Sequence, residues 1–278
     1  MSTSTLASFL LPEGFARPAG AAVLREGSLV TEAGRYALRS AGERRERRNA
    51  PYTGRQVARS ADPVLLVPGF MAGDSSLAFM SRALRSQGYR TYRSHIRANV
   101  GCTLGAAAQL ETRLESIAIR RGTRVQIVGH SLGGMLARGI AVRRPDLVSG
   151  IVTLGSPMLA PAAHHRALTA GLDVLIRLSR AGIPGLMSEE CVAGSCARQS
   201  FEESQEPVPH GVSFTSIYSK RDGIVDWRAC VGSTAHAIEV TASHIGMVVD
   251  PRVIDHVVES LRRAAPVSLL EVDRGISA

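Results

Sequence analysis

A doubly wound α/β fold is predicted for this 278-residue chain: a mostly parallel sheet of about six strands, with helices on both faces. Three observations predict it. Short, continuously apolar runs bounded by glycine, proline or polar residues read as buried parallel strands. Between them lie segments whose apolar residues recur at helical spacing. The two kinds of segment alternate along most of the chain, which is the pattern of crossover connections in a parallel sheet.

The first strand is Val64 to Val67, closed by Pro68-Gly69. A helix follows with Leu77, Met80 and Leu84 on one face, Ser75 or Ser76 as its cap and Gly88 as its stop. Tyr89 to His95 is the second strand, and Leu110, Leu114 and Ile117 mark the next helix, ended by Gly122. Arg124 to Val128 is the third strand. Leu132, Met135, Leu136, Gly139 and Ile140 give the helix after it one apolar stripe, stopped by Pro145. Leu147 to Leu154, Phe214 to Tyr218 and Ala237 to Val240 complete the six strands. A last helix starts with Asp250 as cap and Pro251 at its first position, with Val253, Ile254, Val257, Val258 and Leu261 along one side.

Two regions depart from this alternation. Residues 1–61 collect clustered arginines, glycine and proline, and read as a basic, loosely structured arm packed on the main domain (62–278), with one short helix or hairpin. Residues 156–211 interrupt the sheet between the fourth and fifth strands. They hold one strong helical stretch, about Ala162 to Arg180, and a stop at Gly182 to Gly185. An insertion of this size at a strand end reads as a lid or cap.

The composition bounds the function. Hydrophobic residues are 45% of the chain, ordinary for a globular protein, and the formal net charge is +9. A basic surface has the chemistry to attract anionic lipid. The densest arginine run (Arg44, Arg45, Arg47, Arg48) is broken by Glu43 and Glu46, and no nucleic-acid motif accompanies it, so nucleic acid is not an expected partner. Cys102, Cys191, Cys196 and Cys230 form no CxxC, and no histidine pair has zinc-finger spacing, so no structural zinc or other metal is expected. Cys191 and Cys196 are near enough in sequence for a small disulfide loop, but free thiols are the default inside a cell. The opening MSTSTLASFLLPEGF has only a brief apolar run with no basic residue before it, and no stretch approaches membrane-spanning length. The expectation is a cytoplasmic protein, with secretion left open. Oligomeric state has no sequence signal here.

The chemistry is carried by Gly129-His130-Ser131-Leu132-Gly133-Gly134, a G-x-S-x-G with a strand before it and an amphipathic helix after it. Turning from strand to helix at one residue strains Ser131 and demands glycine two positions to either side. A serine nucleophile needs a base, and the base an orienting acid. Asp222 follows the fifth strand and His244 the sixth, so both fall at the sheet edge where Ser131 stands. Asp226 is the alternative acid. His236 precedes the last strand and His256 lies in the last helix, so both are poorer bases. The backbone N–H groups of Phe70, after the first strand, and of Leu132 are the expected oxyanion donors, with Met71 second choice for the former. Arg97, Asn99 and Trp227 fall in loops at the same edge, with a structural role as the default.

VPGF (Val67 to Phe70), GHSLGG (Gly129 to Gly134), DGIV (Asp222 to Val225) and SHIGM (Ser243 to Met247) resemble the α/β-hydrolase superfamily, and within it small bacterial lipases and esterases. The resemblance covers about 62–261. It implies cofactor-free acyl-enzyme catalysis with Ser131 as nucleophile, Asp222 as acid and His244 as base. The usual first antiparallel strands are not evident in residues 1–60, and little room is left for a helix between Asp222 and Ala237, which implies a reduced core. The leading expectation is a serine hydrolase of carboxylic esters, acting on a small-molecule or lipid ester. Leu159, Leu168, Leu172, Leu175, Ile183, Leu186 and Met187 are candidates for its acyl groove. An acyltransferase or thioesterase using the same triad is the alternative, and a catalytically silent binding protein on this fold is a third reading.

Overall fold

The computed structural model describes residues 6–49, 63–232 and 234–264. Six strands form at or close to the segments read as strands: β1 (Pro63–Val67), β2 (Arg90–Arg93), β3 (Val125–His130), β4 (Val148–Leu154), β5 (Ser213–Ser219) and β6 (His236–Val240). They make one sheet in the order β2-β1-β3-β4-β5-β6, and every neighbouring pair is parallel. β1, β3 and β4 are buried at every residue. This is why they read as mostly apolar runs with no regular polar alternation.

Helices cover both faces. α1 (Leu29–Asn49), α2 (Ala78–Ser86) and α8 (Pro251–Arg263) lie on one side. Their core joins Tyr36, Leu77, Met80, Leu84, Val253, Ile254 and Val257 to Val64, Leu66 and Val152 of the sheet. α3 (Thr103–Arg121) and α4 (Leu132–Arg143) lie on the other, where Leu110, Leu114, Ile117, Leu136 and Ile140 meet Leu65, Val67, Ile127 and Ile151. Asp250 caps α8 as expected, accepting the Arg252 N–H at 2.9 Å. The expected serine cap of α2 does not form. A 3-10 turn, Asp74–Leu77, precedes that helix, and Ser76 instead donates its hydroxyl to the Gly73 carbonyl.

The region 156–211 contains α5 (Arg166–Arg180), the single turn α6 (Glu190–Ala193) and α7 (Ser195–Gln205). Between Asp222 and β6 there is a 3-10 turn, Trp227–Cys230, and among the described residues no longer helix.

The first residues differ from the expectation of a loose arm with a short helix or hairpin. Residues 6–49 hold two 3-10 segments, Ser8–Leu10 and Gly20–Ser28, then the 21-residue α1. That helix is strongly polar, and ion pairs join the buried Tyr36 in attaching it to the domain. Arg35 pairs with the fully buried Asp250 at 2.9 Å, and Arg39 grips Asp255 with both Nη atoms at 2.7 and 2.8 Å. The part of the arm at 50–61 lies outside the described residues.

Candidate active site

β3 ends at His130 and α4 begins at Leu132, so Ser131 alone absorbs the change of direction, at φ +52° and ψ −122°. A left-handed backbone is costly for a residue with a side chain, by about 1–3 kcal/mol, and persists only where the surroundings enforce it. They do so here through the Ser131 N–H, which donates to the Leu154 carbonyl at 2.8 Å, and through three close-packed glycines. A methyl group on Gly129 would sit 2.5 Å from the Gly134 nitrogen. One on Gly133 would overlap the Val67 carbonyl, and one on Gly134 would overlap the Ser156 hydroxyl. The spacing read from the sequence is therefore a demand for close approach between β1, β3, β4 and α4.

Asp222 and His244, the acid and base expected from the sequence, stand just past the ends of β5 and β6. Asp222 is 4% exposed. Its Oδ1 accepts the N–H groups of Ile224 (2.8 Å) and Val225 (2.7 Å), and its Oδ2 meets His244 Nδ1 at 2.7 Å. This bond places a proton on Nδ1 and leaves Nε2 as the acceptor of the neutral ring. His244 is equally buried. Burial alone pushes its pKa down, but the charge and hydrogen bond of Asp222, with a smaller effect of Glu26, raise it above the ordinary histidine value.

Two further residues hold the pair. His130 places Nε2 3.0 Å from the His244 carbonyl, with the two rings 4.7 Å apart. Burial first, then the proximity of His244, push the His130 pKa down to about 3, so His130 is neutral and donates that hydrogen bond. Gly155, after β4, has φ +56°, and a methyl there would stand 2.9 Å from His244 Nδ1 and 3.2 Å from Asp222 Oδ2.

The loop after β1 approaches from the other side. A methyl on Gly69 would lie 3.0 Å from Ser131 Cβ. The Met71 N–H donates to the Asn99 carbonyl at 3.0 Å, while Asn99 Nδ2 donates to the Pro68 carbonyl at 2.9 Å. Asn99 is thus a clasp on this loop, and the amide of Met71 is already engaged.

Ser131 faces a pocket of ≈ 830 Å³, counting its open mouth. Phe70, Leu132 and Met135 line it from the core, Leu168, Leu172, Met187, Val192 and Phe201 from the insertion, and Leu6 and Leu10 from the first residues. Three of the seven residues expected in an acyl groove are there. Leu159, Leu175, Ile183 and Leu186 are not.

The sequence model of the Alpha/beta hydrolase family matches residues 64–274. The chain belongs to that family. Among solved structures, the hydrolase fold seen here is similar to the mature form of the lipase BlEst2 from Bacillus licheniformis, at 16% identity and a TM-score of 0.55, covering 73% of this chain and 91% of that one. It is also similar to one of the metagenome-derived lipolytic enzymes LipS and LipT, at 15% identity and a TM-score of 0.51, covering 74% and 95%. No curated protein matches the chain in sequence.

Within the hydrolase fold the competing sequence candidates go elsewhere. Asp226 accepts the Ala16 and Arg228 N–H groups at 3.1 Å each and caps the 3-10 turn after it. His236 opens β6 on the surface beside Arg263, and His256 lies in α8. Trp227 stacks on Tyr218 at 5.6 Å. The four cysteines are free thiols. Among the described residues no group of three or more His, Cys, Asp or Glu could hold a metal ion, and no helix is long and apolar enough to cross a membrane.

Among the polar residues that sequence reasoning missed at the site are His130, Glu26 and Glu32. His130 had a signal, being the variable position of the elbow itself. Glu26 and Glu32 had none. Glu26 accepts N–H groups from Gly223, His244 and Ile245, and Glu32 accepts from both the backbone and the hydroxyl of Ser243.

Proposed function

We propose that this chain is a serine hydrolase of carboxylic esters with an apolar acyl group, acting through an acyl-enzyme on Ser131. The observation that carries the reading is Ser131 held in a left-handed elbow at the floor of an apolar pocket, at the sheet edge that also holds the buried Asp222–His244 pair. In this reading His244 Nε2 takes the proton of the Ser131 hydroxyl as the oxygen attacks the ester carbonyl. The charge that develops on His244 faces Asp222, which keeps the ring in the needed tautomer. The oxyanion is received by the Phe70 and Leu132 N–H groups. The choice of Phe70 over Met71 is supported by the Met71 amide's existing bond to Asn99. His244 then returns its proton to the departing alcohol, leaving an ester on Ser131. Water, deprotonated by the same imidazole, releases the acid and restores the serine.

The acyl chain belongs in the pocket between Phe70, Leu172 and Phe201, where burying each methylene contributes about 0.8 kcal/mol. Residues 156–211 supply most of its wall, which supports their reading as a lid. Hydrolysis of p-nitrophenyl esters from acetate to palmitate tests this. The expected result is turnover with an optimum beyond acetate that disappears in Ser131→Ala. A folded wild type inactive on the whole series but active on acyl thioesters would replace this reading with a thioesterase. Inactivity on both would leave a binding protein on the hydrolase fold.

A further inference from the structure

The sheet stops holding the acid and the base before it reaches them. The last paired residues of β5 and β6 are Ser219 and Val240. Asp222 lies three residues beyond that pairing and His244 four, on separate turns. A single side chain from a distant part of the chain bridges the two. Glu26 Oε1 accepts the Gly223 N–H at 3.0 Å and the His244 N–H at 3.0 Å, and its Oε2 accepts the Ile245 N–H at 2.9 Å. One carboxylate thus holds the residue after Asp222, the base itself and the residue after the base.

Other contacts show that this meeting is built rather than incidental. A methyl on Gly223 would overlap the carbonyl oxygen of Ala22 and come within 3.1 Å of Glu26 Oε1, so only glycine lets the acid turn approach the arm. Ser243, the residue before the base, gives its N–H and its hydroxyl to Glu32 at 2.8 Å each. Three consecutive residues, Ser243 to Ile245, therefore donate to two glutamates of the arm. Bonds from N–H groups to a carboxylate are among the stronger hydrogen bonds.

We infer that Glu26 is a positioning residue for catalysis: its carboxylate clamps the turns of Asp222 and His244 in the register that lets them act as a pair. The inference rests on the proposed ester hydrolysis. Glu26 touches no substrate and acts through the backbone of the base. The charged or titratable groups facing His244 are Asp222, His130 and Glu26, so loss of the Glu26 charge also weakens the hold on the imidazolium.

The test uses the full-length protein and two variants. Glu26→Gln keeps the size and one acceptor of the side chain but removes the charge and the second carboxylate oxygen. Arg39→Ala releases the grip of α1 on Asp255, loosening the arm away from the site. Two readouts are taken: steady-state ester hydrolysis across pH, and the titration of the His244 ring followed by NMR on imidazole-labelled protein. For Glu26→Gln, kcat is expected to fall by about tenfold or more with KM within about twofold, since misplacing a catalytic group weakens the chemical step. The midpoint of the acidic limb and of the His244 titration should both move down. Arg39→Ala should lower the melting temperature and leave both midpoints unchanged.

Wild-type kcat and an unmoved His244 titration in Glu26→Gln would overturn the inference. So would the same loss in Arg39→Ala, because Glu26 would then only be fastening the arm. Should the wild type hydrolyse no ester, the proposed function fails on that arm alone. An unmoved NMR titration of His244 in Glu26→Gln would still overturn the inference.

Discussion

The sheet edge and the first fifty residues meet at the same site by different physical means. β3 and β5 carry Ser131 and Asp222 there through burial between two apolar layers, while the edge strand β6 carries His244 through its parallel pairing with β5 and the burial of Val240, and the turns follow from where the strands end. Residues 6–49 add charge and hydrogen bonds to a few apolar contacts such as Leu10 and Tyr36, with Glu26 and Glu32 on backbone amides and Arg35 and Arg39 on the carboxylates of Asp250 and Asp255. Apolar burial is non-directional and sets where a segment lies. Directional bonds to a carboxylate set the angle at which its turn is held. A site of this kind uses both, the first to bring three strand ends together and the second to fix the loops beyond them.

The comparison breaks most visibly at the sheet edge. Ser131→Ala, His244→Ala and Asp222→Asn are each expected to lower kcat on a p-nitrophenyl ester by about 10⁴-fold or more. Asp226→Asn, four residues from the acid but turned toward Ala16 and Arg228, should cost less than about tenfold. Equal losses in the two aspartate variants would break the assignment of Asp222.

The next effect tests the contact between the regions. Gly223→Ala forces a methyl onto the Ala22 carbonyl, and urea unfolding should show a loss of about 1–3 kcal/mol with reduced turnover. A neutral result would mean that the arm does not seat on the acid turn.

pH sharpens the picture further. In the proposed mechanism turnover needs neutral His244, and Asp222 with its hydrogen bond raises the pKa of this ring against burial. Activity should therefore fall as pH drops through a midpoint above about 6.5, the ordinary histidine value. A midpoint well below it, in a pH profile of kcat/KM, would mean that burial outweighs the acid.

The smallest effect belongs to the arm's outer anchor. Arg39 and Asp255 are partly exposed, and Arg39→Ala should cost no more than about 1 kcal/mol in the same unfolding measurement.

How much of this was legible in the sequence follows the same division. The six strands, the elbow, and the preference for Asp222 and His244 over Asp226, His236 and His256 rest on local patterns: an apolar run, a cap, a residue's distance from a strand end. Such patterns survive without knowledge of partners. α1 did not declare itself because its residues are polar on most sides. What makes it a stable helix is Tyr36 in the core and ion pairs with residues more than 200 positions away. Glu26 was silent for the same reason, since its partners are backbone amides, which no side-chain motif encodes. The pocket was half legible. Leu168, Leu172 and Met187 line it, but Leu175, on the same helix, is buried outside it, and Phe201, Leu6 and Leu10 come from segments whose place depends on the packing of the insertion.

The central claim is that Ser131 is an activated nucleophile. Labelling with a fluorophosphonate, followed by mass spectrometry of the digested protein, tests it most directly. The account predicts one adduct, on Ser131, absent in Ser131→Ala and formed about a hundredfold or more slowly in His244→Ala. No adduct on folded wild-type protein, or an adduct on another residue, would contradict it.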